Sequence, residues 1–286
     1  MTYSKAMYHY FAFGLHIHSD FKLPELLAGN PEKVADVTIQ AGPVQEQARA
    51  LEGGSLAGGE SWLTLQVKDT GQLHMTEGTR ITYETVPQGN PNTLRLFLLG
   101  AGLGGILHQR KTIVLHGNCI STDGQTGQIY VGDSGAGKST MAAWHYHSGA
   151  KILADDLCAV VWDQQGDPWV LPSYPQIKLW RESLRLLGMN PTQFSPLHNR
   201  EDKFAIPIHE RFWATPVRLT HVYDLKPEHT EERPYSGAEK FNTLLRNTYR
   251  YVFLSRMGMT QVYFAELMKL VDKVSVSQAT RKQIEV

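Results

Sequence analysis

From Tyr8 to about Val86 apolar residues alternate with polar ones. The segments FAFGLHIHSDF, ADVTIQAG, SWLTLQV and LHMTEGTRITYE each place every second residue on one face, with Gly53, Gly54, Gly58 and Gly59 as punctuation. A period of two belongs to strands buried on one side, so the opening of the chain is predicted to be β-rich. At Leu94 the period changes to that of a helix. Leu96, Leu99, Leu103, Ile106 and Leu107 recur at helical spacing over 94–109, although four glycines weaken the pattern. Short strands follow at 112–116 (TIVLH) and 128–132 (QIYVG), with STDGQTG between them as a hairpin turn.

Further along, 138–148 suits a helix, and KILA (151–154), LCAVVW (157–162), PWVLP and IKLW suit strands. A short helix is expected near 181–187. Residues 190–204, NPTQFSPLHNREDKF, carry two prolines and little periodicity and read as a long loop, of the kind that closes over binding sites. LTHVYDL is a further strand and 228–238 a polar turn. Residues 239–271 read as helical, with Phe241, Leu244, Leu245, Val252, Phe253, Leu267 and Leu270 as core contacts. The pattern divides the chain into a β-rich portion, 1–90, and a mixed α/β portion, 91–286.

Composition narrows the function classes. The 286 residues are 42% hydrophobic and 20% charged, an ordinary globular balance. Lys plus Arg and Asp plus Glu both number 28, so no basic field exists to hold nucleic acid or an anionic membrane. The two cysteines, Cys119 and Cys158, are expected to be buried thiols in a reducing compartment. The N-terminal segment lacks the apolar core of a signal peptide. The longest apolar run, Leu96–Leu107, is too short to span a bilayer, which takes about 20 residues. A cytoplasmic protein with no membrane segment is expected.

The sharpest motif is Gly132-Asp133-Ser134-Gly135-Ala136-Gly137-Lys138-Ser139-Thr140, which fits G-x-x-x-x-G-K-[ST] between a strand and a helical run. Glycines let backbone N–H groups curl round a phosphate, and the helix N-terminus adds partial positive charge. Lys138 would reach the terminal phosphates and the Ser139 hydroxyl would ligate magnesium, so ATP with Mg²⁺ is the expected ligand. Such a match arises by chance in about one chain in a hundred of this length.

Sixteen residues after Ser139 come two adjacent acids, Asp155 and Asp156. In a turn after a strand they can face different sides, one carboxylate holding the cation and the other accepting a proton from an attacking hydroxyl. His116, after TIVL, is placed to tune a carboxylate or touch phosphate. Arg246 and Arg250, four apart in the predicted C-terminal helix, form a candidate anion site. Trp180 is read as a core residue.

The order LHG (115–117), IYVGDSGAGKST (129–140), GAKILADD (149–156) resembles the catalytic domain of HPr kinase/phosphorylase, which phosphorylates a serine of a small carrier protein. The resemblance implies an α/β fold with a mixed sheet, similar to the phosphoenolpyruvate carboxykinase nucleotide domain, behind a β-rich N-terminal portion. By matching position it implies Lys138 and Ser139 on phosphate and metal, Asp155 as acid/base, Asp156 as metal ligand and His116 near phosphate. Thr140 stands where the family usually has Glu, and its later Glu-, Arg- and Gly-rich signature is absent, so the phosphorylase reaction is not expected.

The chain is similar, more closely, to HPr-kinase-related lasso-peptide kinases. These share the loop, the Asp pair, a segment here running from Tyr174 to Trp180, and a lysine before an apolar-Pro stretch, here Lys203 to Pro207. The likeness implies a peptide or small-protein partner, the C-terminal serine of a lasso-type precursor as acceptor, and Lys203 as a phosphate or substrate contact; HPr kinases also self-associate. The alternatives are a nucleotide-gated binding or regulatory protein and a kinase of a small-molecule alcohol.

Overall fold

The computed structural model describes residues 6–44, 51, 54–197, 200–226 and 231–280. The chain folds into two compact units, one of Met1–Thr112 with Arg250–Tyr263 and one of Ile113–Tyr249 with Phe264–Val286. Gly53 and residues 228–230 of the expected polar turn lie outside the described residues.

In the first unit β1 (Tyr8–Ala12), β2 (Leu15–Ser19), β3 (Leu27–Ala28), β4 (Val37–Ala41), β5 (Leu56–Gly59), β6 (Trp62–Val67), β7 (Gly71–Thr76) and β8 (Arg80–Thr85) make one sheet. Its order is β3-β1-β2-β4-β8-β7-β6-β5, mixed because β4 runs parallel to both β2 and β8. Gly58 and Gly59, expected as punctuation, close β5. The predicted helix begins at Pro91, where the Asn90 side chain accepts from the Asn92 and Thr93 N–H groups. It runs as α1 (Pro91–Phe97), a π-helical turn, Leu98–Gly102, and α2 (Leu103–Gln109). The glycines have a packing reason. A Cβ on Gly105 would lie 3.1 Å from Met75 of β7, so the residue lets the helix lie close on the sheet.

The second unit opens with β9 (Ile113–Leu115), β10 (Asn118–Ser121) and β11 (Thr126–Val131). The expected hairpin turn is present, but β11 pairs with β10, Cys119 opposite Ile129, while β9 leaves to pair with β13 (Cys158–Trp162). Gly117 separates the two strands, and a Cβ there would lie 2.5 Å from the Tyr130 carbonyl oxygen. After α3 (Lys138–His147) come β12 (Lys151–Asp155), β13, β14 (Pro168–Leu171), β15 (Gln176–Trp180) and α4 (Arg181–Leu186).

The segment 190–204 is not the long loop expected from sequence. It holds a 3-10 turn, Pro191–Gln193, then β16 (Pro196–Leu197) and the start of β17 (Arg200–Pro207). The strand was hidden because its alternation, Phe204 and Ile206 buried against half-buried Lys203 and Ala205, begins only where the polar run ends. β15, β17 and β16 form a three-stranded sheet of their own.

The chain closes with β18 (Val217–Lys226), β19 (Arg233–Pro234) and α5 (Gly237–Arg246), then α6 (Val252–Arg256) within the segment assigned to the first unit, α7 (Thr260–Lys273) and β20 (Ser275–Thr280). The continuous helix expected over 239–271 is therefore three helices. Val252 is 47% exposed and not a core contact, and β20 was not foreseen. The main sheet of this unit has nine strands, with β18 parallel to β11 and to β20 and the other pairs antiparallel, an α/β fold of mixed sheets.

The core beneath the helix that follows the glycine loop joins three elements. Met141, Ala142 and Ala143 of α3 meet Ile120 and Ile152 of the main sheet and Ile177, Leu179, Phe204 and Ile206 of the small sheet. Each large aliphatic side chain so buried contributes about 1.5–3 kcal/mol. Cys119 and Cys158 are buried free thiols, their pKa values raised by burial. No helix among the described residues is long and apolar enough to cross a membrane.

Candidate functional site

The glycine loop lies between β11 and α3, as the motif requires. Gly132 has φ 140°, and a Cβ there would lie 3.0 Å from the Leu225 carbonyl oxygen. Gly137, at φ 93°, ends the loop in the left-handed region and starts the helix. L side chains resist both conformations, so the sequence has glycine where the backbone must turn. The loop is anchored at its start, where the Gly132 N–H donates to Asn247 Oδ1 at 3.0 Å and Asn247 Nδ2 donates to the Thr243 carbonyl at 2.8 Å.

Lys138 Nζ donates to the carbonyls of Gly132 at 2.7 Å and Asp133 at 3.1 Å, which holds its ammonium against the loop. Burial lowers its pKa, with the nearby carboxylates working the other way. Ser139 Oγ donates to Asp155 Oδ1 at 3.4 Å. Thr140 points elsewhere: its hydroxyl is 2.6 Å from Ser183 Oγ on α4, in the interior.

Asp155 ends β12 and Asp156 follows in a tight turn. Asp156 has φ 76°, and the Leu157 N–H closes on the Asp155 carbonyl at 3.0 Å around it, the geometry of the rare γ-turn with positive φ. That conformation costs on the order of 1 kcal/mol in a non-glycine residue, and it turns the two neighbouring carboxylates apart. Asp155 is 4% exposed. Its Oδ1 also accepts from Asn118 Nδ2, and its Oδ2 accepts from the Lys178 N–H at 2.7 Å. Asp156 faces the other way, Oδ1 3.1 Å from His116 Nε2 and Oδ2 3.2 Å from Lys178 Nζ.

Burial raises the Asp155 pKa, and the Lys178 charge offsets only part of that. Burial also opposes ionisation of Asp156, but the Lys178 ammonium and the His116 imidazole outweigh it and hold this carboxyl well below the usual carboxylate range. Lys178 is desolvated too, yet Tyr174 and the two carboxylates keep its pKa above the ordinary lysine value. His116 is fixed by its own backbone, whose N–H donates to the Asn247 carbonyl at 2.7 Å, and its ring meets Tyr249 edge-on.

The structure thus brings together the loop, Lys138, Ser139, Asp155, Asp156 and His116. Lys203 belongs with them: its charge acts on Lys138 and both carboxylates, and its Nζ lies 5.5 Å from the Trp180 ring centre. The C-terminal arginines do not form the expected pair. Helix α5 ends at Arg246, whose guanidinium donates to buried Asp224, and Arg250 lies in the segment assigned to the first unit, against Phe253. The cause is the stretch Asn247–Tyr249, which leaves the helix to bond the β9 edge, Tyr249 N–H to the Val114 carbonyl at 2.8 Å. Trp180 is 43% exposed and not a core residue.

Sequence reasoning missed Asn118, Lys178 and Asn247. Lys178 did leave a trace, a charge between the apolar residues of QIKLW. Asn118 sits opposite Asp155 across the β10–β12 pair, a register visible only once the strands are matched.

The sequence matches no family model and no curated protein. Among solved structures the chain is similar to the Hpr(Ser) kinase/phosphatase from Coxiella burnetii. The match covers 59% of this chain and 84% of that one, at 9% identity and a TM-score of 0.30. At that level of likeness the geometry of the site alone carries the functional argument.

Proposed function

We propose that this chain is an ATP- and Mg²⁺-dependent kinase that transfers the γ-phosphate to a serine hydroxyl of a peptide or small protein. One observation carries the reading: the loop hydroxyl of Ser139 meets Asp155, while the next carboxylate, Asp156, turns away to His116 and Lys178. One acid therefore stands on the phosphate side and its neighbour on a side with an opening, Asp156 being 27% and His116 45% exposed at the side chain.

The donor set fits Mg²⁺. Among the described residues no group of three or more His, Cys, Asp or Glu could hold a metal unaided. Mg²⁺ takes one or two protein ligands and completes its shell with phosphate oxygens and water. Ser139 and Asp155 would hold it, and the bound MgATP supplies the phosphoryl group and offsets the charge that develops on it.

The remaining work falls to the protein. The backbone N–H groups of the loop and Lys138 cradle and orient the phosphates. Asp156, kept ionised by Lys178 and oriented by His116, accepts the proton of the serine hydroxyl as the new O–P bond forms and ADP leaves. This exchanges the two aspartate roles carried over from the HPr kinase resemblance, because Asn118 and the Lys178 N–H hold Asp155 against the Ser139 hydroxyl of the loop, whereas the side chain of Asp156 is 27% exposed. The resemblance also supplies the first acceptor to try, the C-terminal serine of a lasso-type precursor peptide.

The test is transfer from γ-labelled ATP with Mg²⁺ to HPr and to serine-ended precursor peptides, read by intact mass beside Lys138→Ala and Asp156→Asn. Phosphopeptide from wild type and from neither variant is the expected result. ATP hydrolysis with every acceptor unmodified would overturn it, in favour of a small-molecule alcohol as acceptor or a nucleotide-gated binding protein.

A further inference from the structure

The small sheet β15-β17-β16 has two unlike faces. One enters the core beneath α3, as described. On the other, Lys178 and Trp180 of β15 stand beside Ala205 and Lys203 of β17, Lys178 paired with Ala205 and Trp180 with Lys203. Side chains two apart on a strand share a face, so these four form one wall. It begins at Asp156, through the Lys178 ammonium, and ends at the rim, where Trp180 exposes 43% of its surface with Lys203 against its ring.

The place of the wall along the loop says what it meets. In a phosphate loop the backbone holds the inner phosphates, and the lysine and the following hydroxyl mark the terminal phosphate. The wall adjoins that terminal end, since the Lys178 N–H bonds the same Asp155 that Ser139 touches. What lies beyond a terminal phosphate in a kinase is the acceptor, and the adenine lies in the opposite direction.

We infer that this sheet face is the acceptor wall of the site: Trp180 covers an apolar side chain within two residues of the acceptor serine, and Lys203 pairs with an acidic group beside it. This rests on the kinase reading above. Two cations on one wall, Lys178 and Lys203, favour an anionic group on the segment that the wall meets. An exposed Trp backed by a cation is suited to anchoring a short segment of chain, where large aromatic residues give much contact area for little lost entropy.

The experiment offers a serine-centred peptide library, degenerate at the two positions on each side, to wild type, Trp180→Ala, Trp180→Phe and Lys203→Glu with MgATP. Phosphorylated products are sequenced, and the KM for ATP is measured on the best peptide. Wild type is expected to enrich Asp or Glu and a large apolar residue beside the phosphoserine. Lys203→Glu should exchange the acidic preference for Lys or Arg by at least fivefold. Trp180→Ala should raise the peptide KM about tenfold, and Trp180→Phe should restore most of it, which also separates lost contact from lost folding. Unchanged selection in Lys203→Glu and Trp180→Ala would overturn the inference. So would a raised KM for ATP in place of altered selection, which would assign the wall to the nucleotide. A library that wild type leaves unphosphorylated would remove the peptide-kinase reading itself.

Discussion

Two buried carboxylate sites lie in the nine-stranded sheet of the second unit, and they have come to opposite uses. Asp224, near the end of β18, sits opposite Val131 just before the glycine loop and is completely buried. Its Oδ2 collects the Tyr235 hydroxyl at 2.9 Å, the Lys226 ammonium at 3.1 Å and the Arg246 guanidinium. Those partners bring the ends of β18 and α5 together with Tyr235. Asp155 and Asp156 are also met by a buried cation, but Asp155 touches the loop hydroxyl and Asp156 a half-exposed histidine. Each cluster reaches solvent through a side chain that is 45% exposed, Arg246 in one and His116 in the other, so it is contact with the Ser139 hydroxyl of the glycine loop that sets the Asp155–Asp156 pair apart. Both clusters involve basic side chains, so sequence alone could not say that Arg246 belonged to the one at Asp224.

The comparison breaks first at Asp156. Asp156→Asn is expected to lower kcat about 10³-fold, roughly 4 kcal/mol of transition-state stabilisation, with the KM for ATP changed less than threefold. Steady-state kinetics on a phosphorylated acceptor checks this. An equal loss in Asp155→Asn with a large rise in the KM for MgATP would agree with the division of roles, whereas the reverse pattern would exchange them.

Asp224→Ala should do the opposite. It leaves Tyr235, Lys226 and Arg246 without their common acceptor, and breaking a buried pair of this kind costs about 3 kcal/mol. Denaturant unfolding should show that loss. The fraction still folded should transfer phosphate within threefold of the wild-type rate, and a thousandfold loss there would make Asp224 part of the site.

What was legible in the sequence follows the same division. The place of the loop could be read because its pattern is local: Gly137, Lys138 and Ser139 are consecutive, and the strand and helix around them have clear periods. The Asp155–Asp156 pair was legible for the same reason. The side chains that complete the site come from distant positions. Asn118 arrives by strand register, Lys178 from a second sheet, and Asn247 from the end of a helix that sequence carried on without a break. The second sheet itself escaped notice because the alternating residues of β17 follow the polar run ending at Lys203. The break at Asn247 escaped because its cause, hydrogen bonding to the β9 edge, is tertiary and leaves no mark on helical periodicity.

The aspartate pair should also be visible in the acid response of stability. Asp156 has its pKa lowered on folding, so it contributes stability that is fully present above the unfolded carboxylate value near 4 and is lost as pH falls through the folded value. Asp155 has its pKa raised by burial, so its contribution has the reverse sign and declines as pH rises from about 4 through its folded value. Lys178→Met should weaken the first and strengthen the second. The measurement is unfolding free energy between pH 3 and 7. Wild type should lose less stability than the variant as pH rises across that range, and parallel curves would mean that Lys178 does not set the charge of the pair.

The smallest effect is expected at Thr140, which sequence placed among the phosphate-binding residues. Its hydroxyl is 2.6 Å from Ser183 Oγ, and both residues are buried, so the group joins α3 to α4. Ser183→Ala removes one interior hydrogen bond and leaves the Thr140 hydroxyl to find another partner, a cost of about 1 kcal/mol. The helix start that carries Lys138 and Ser139 stays fixed by the backbone of the loop, so the KM for ATP should move less than twofold. A tenfold rise would mean that the α3–α4 contact sets the loop itself, and the Asp155–Asp156 cluster would then depend on its scaffold as strictly as the Asp224 cluster does.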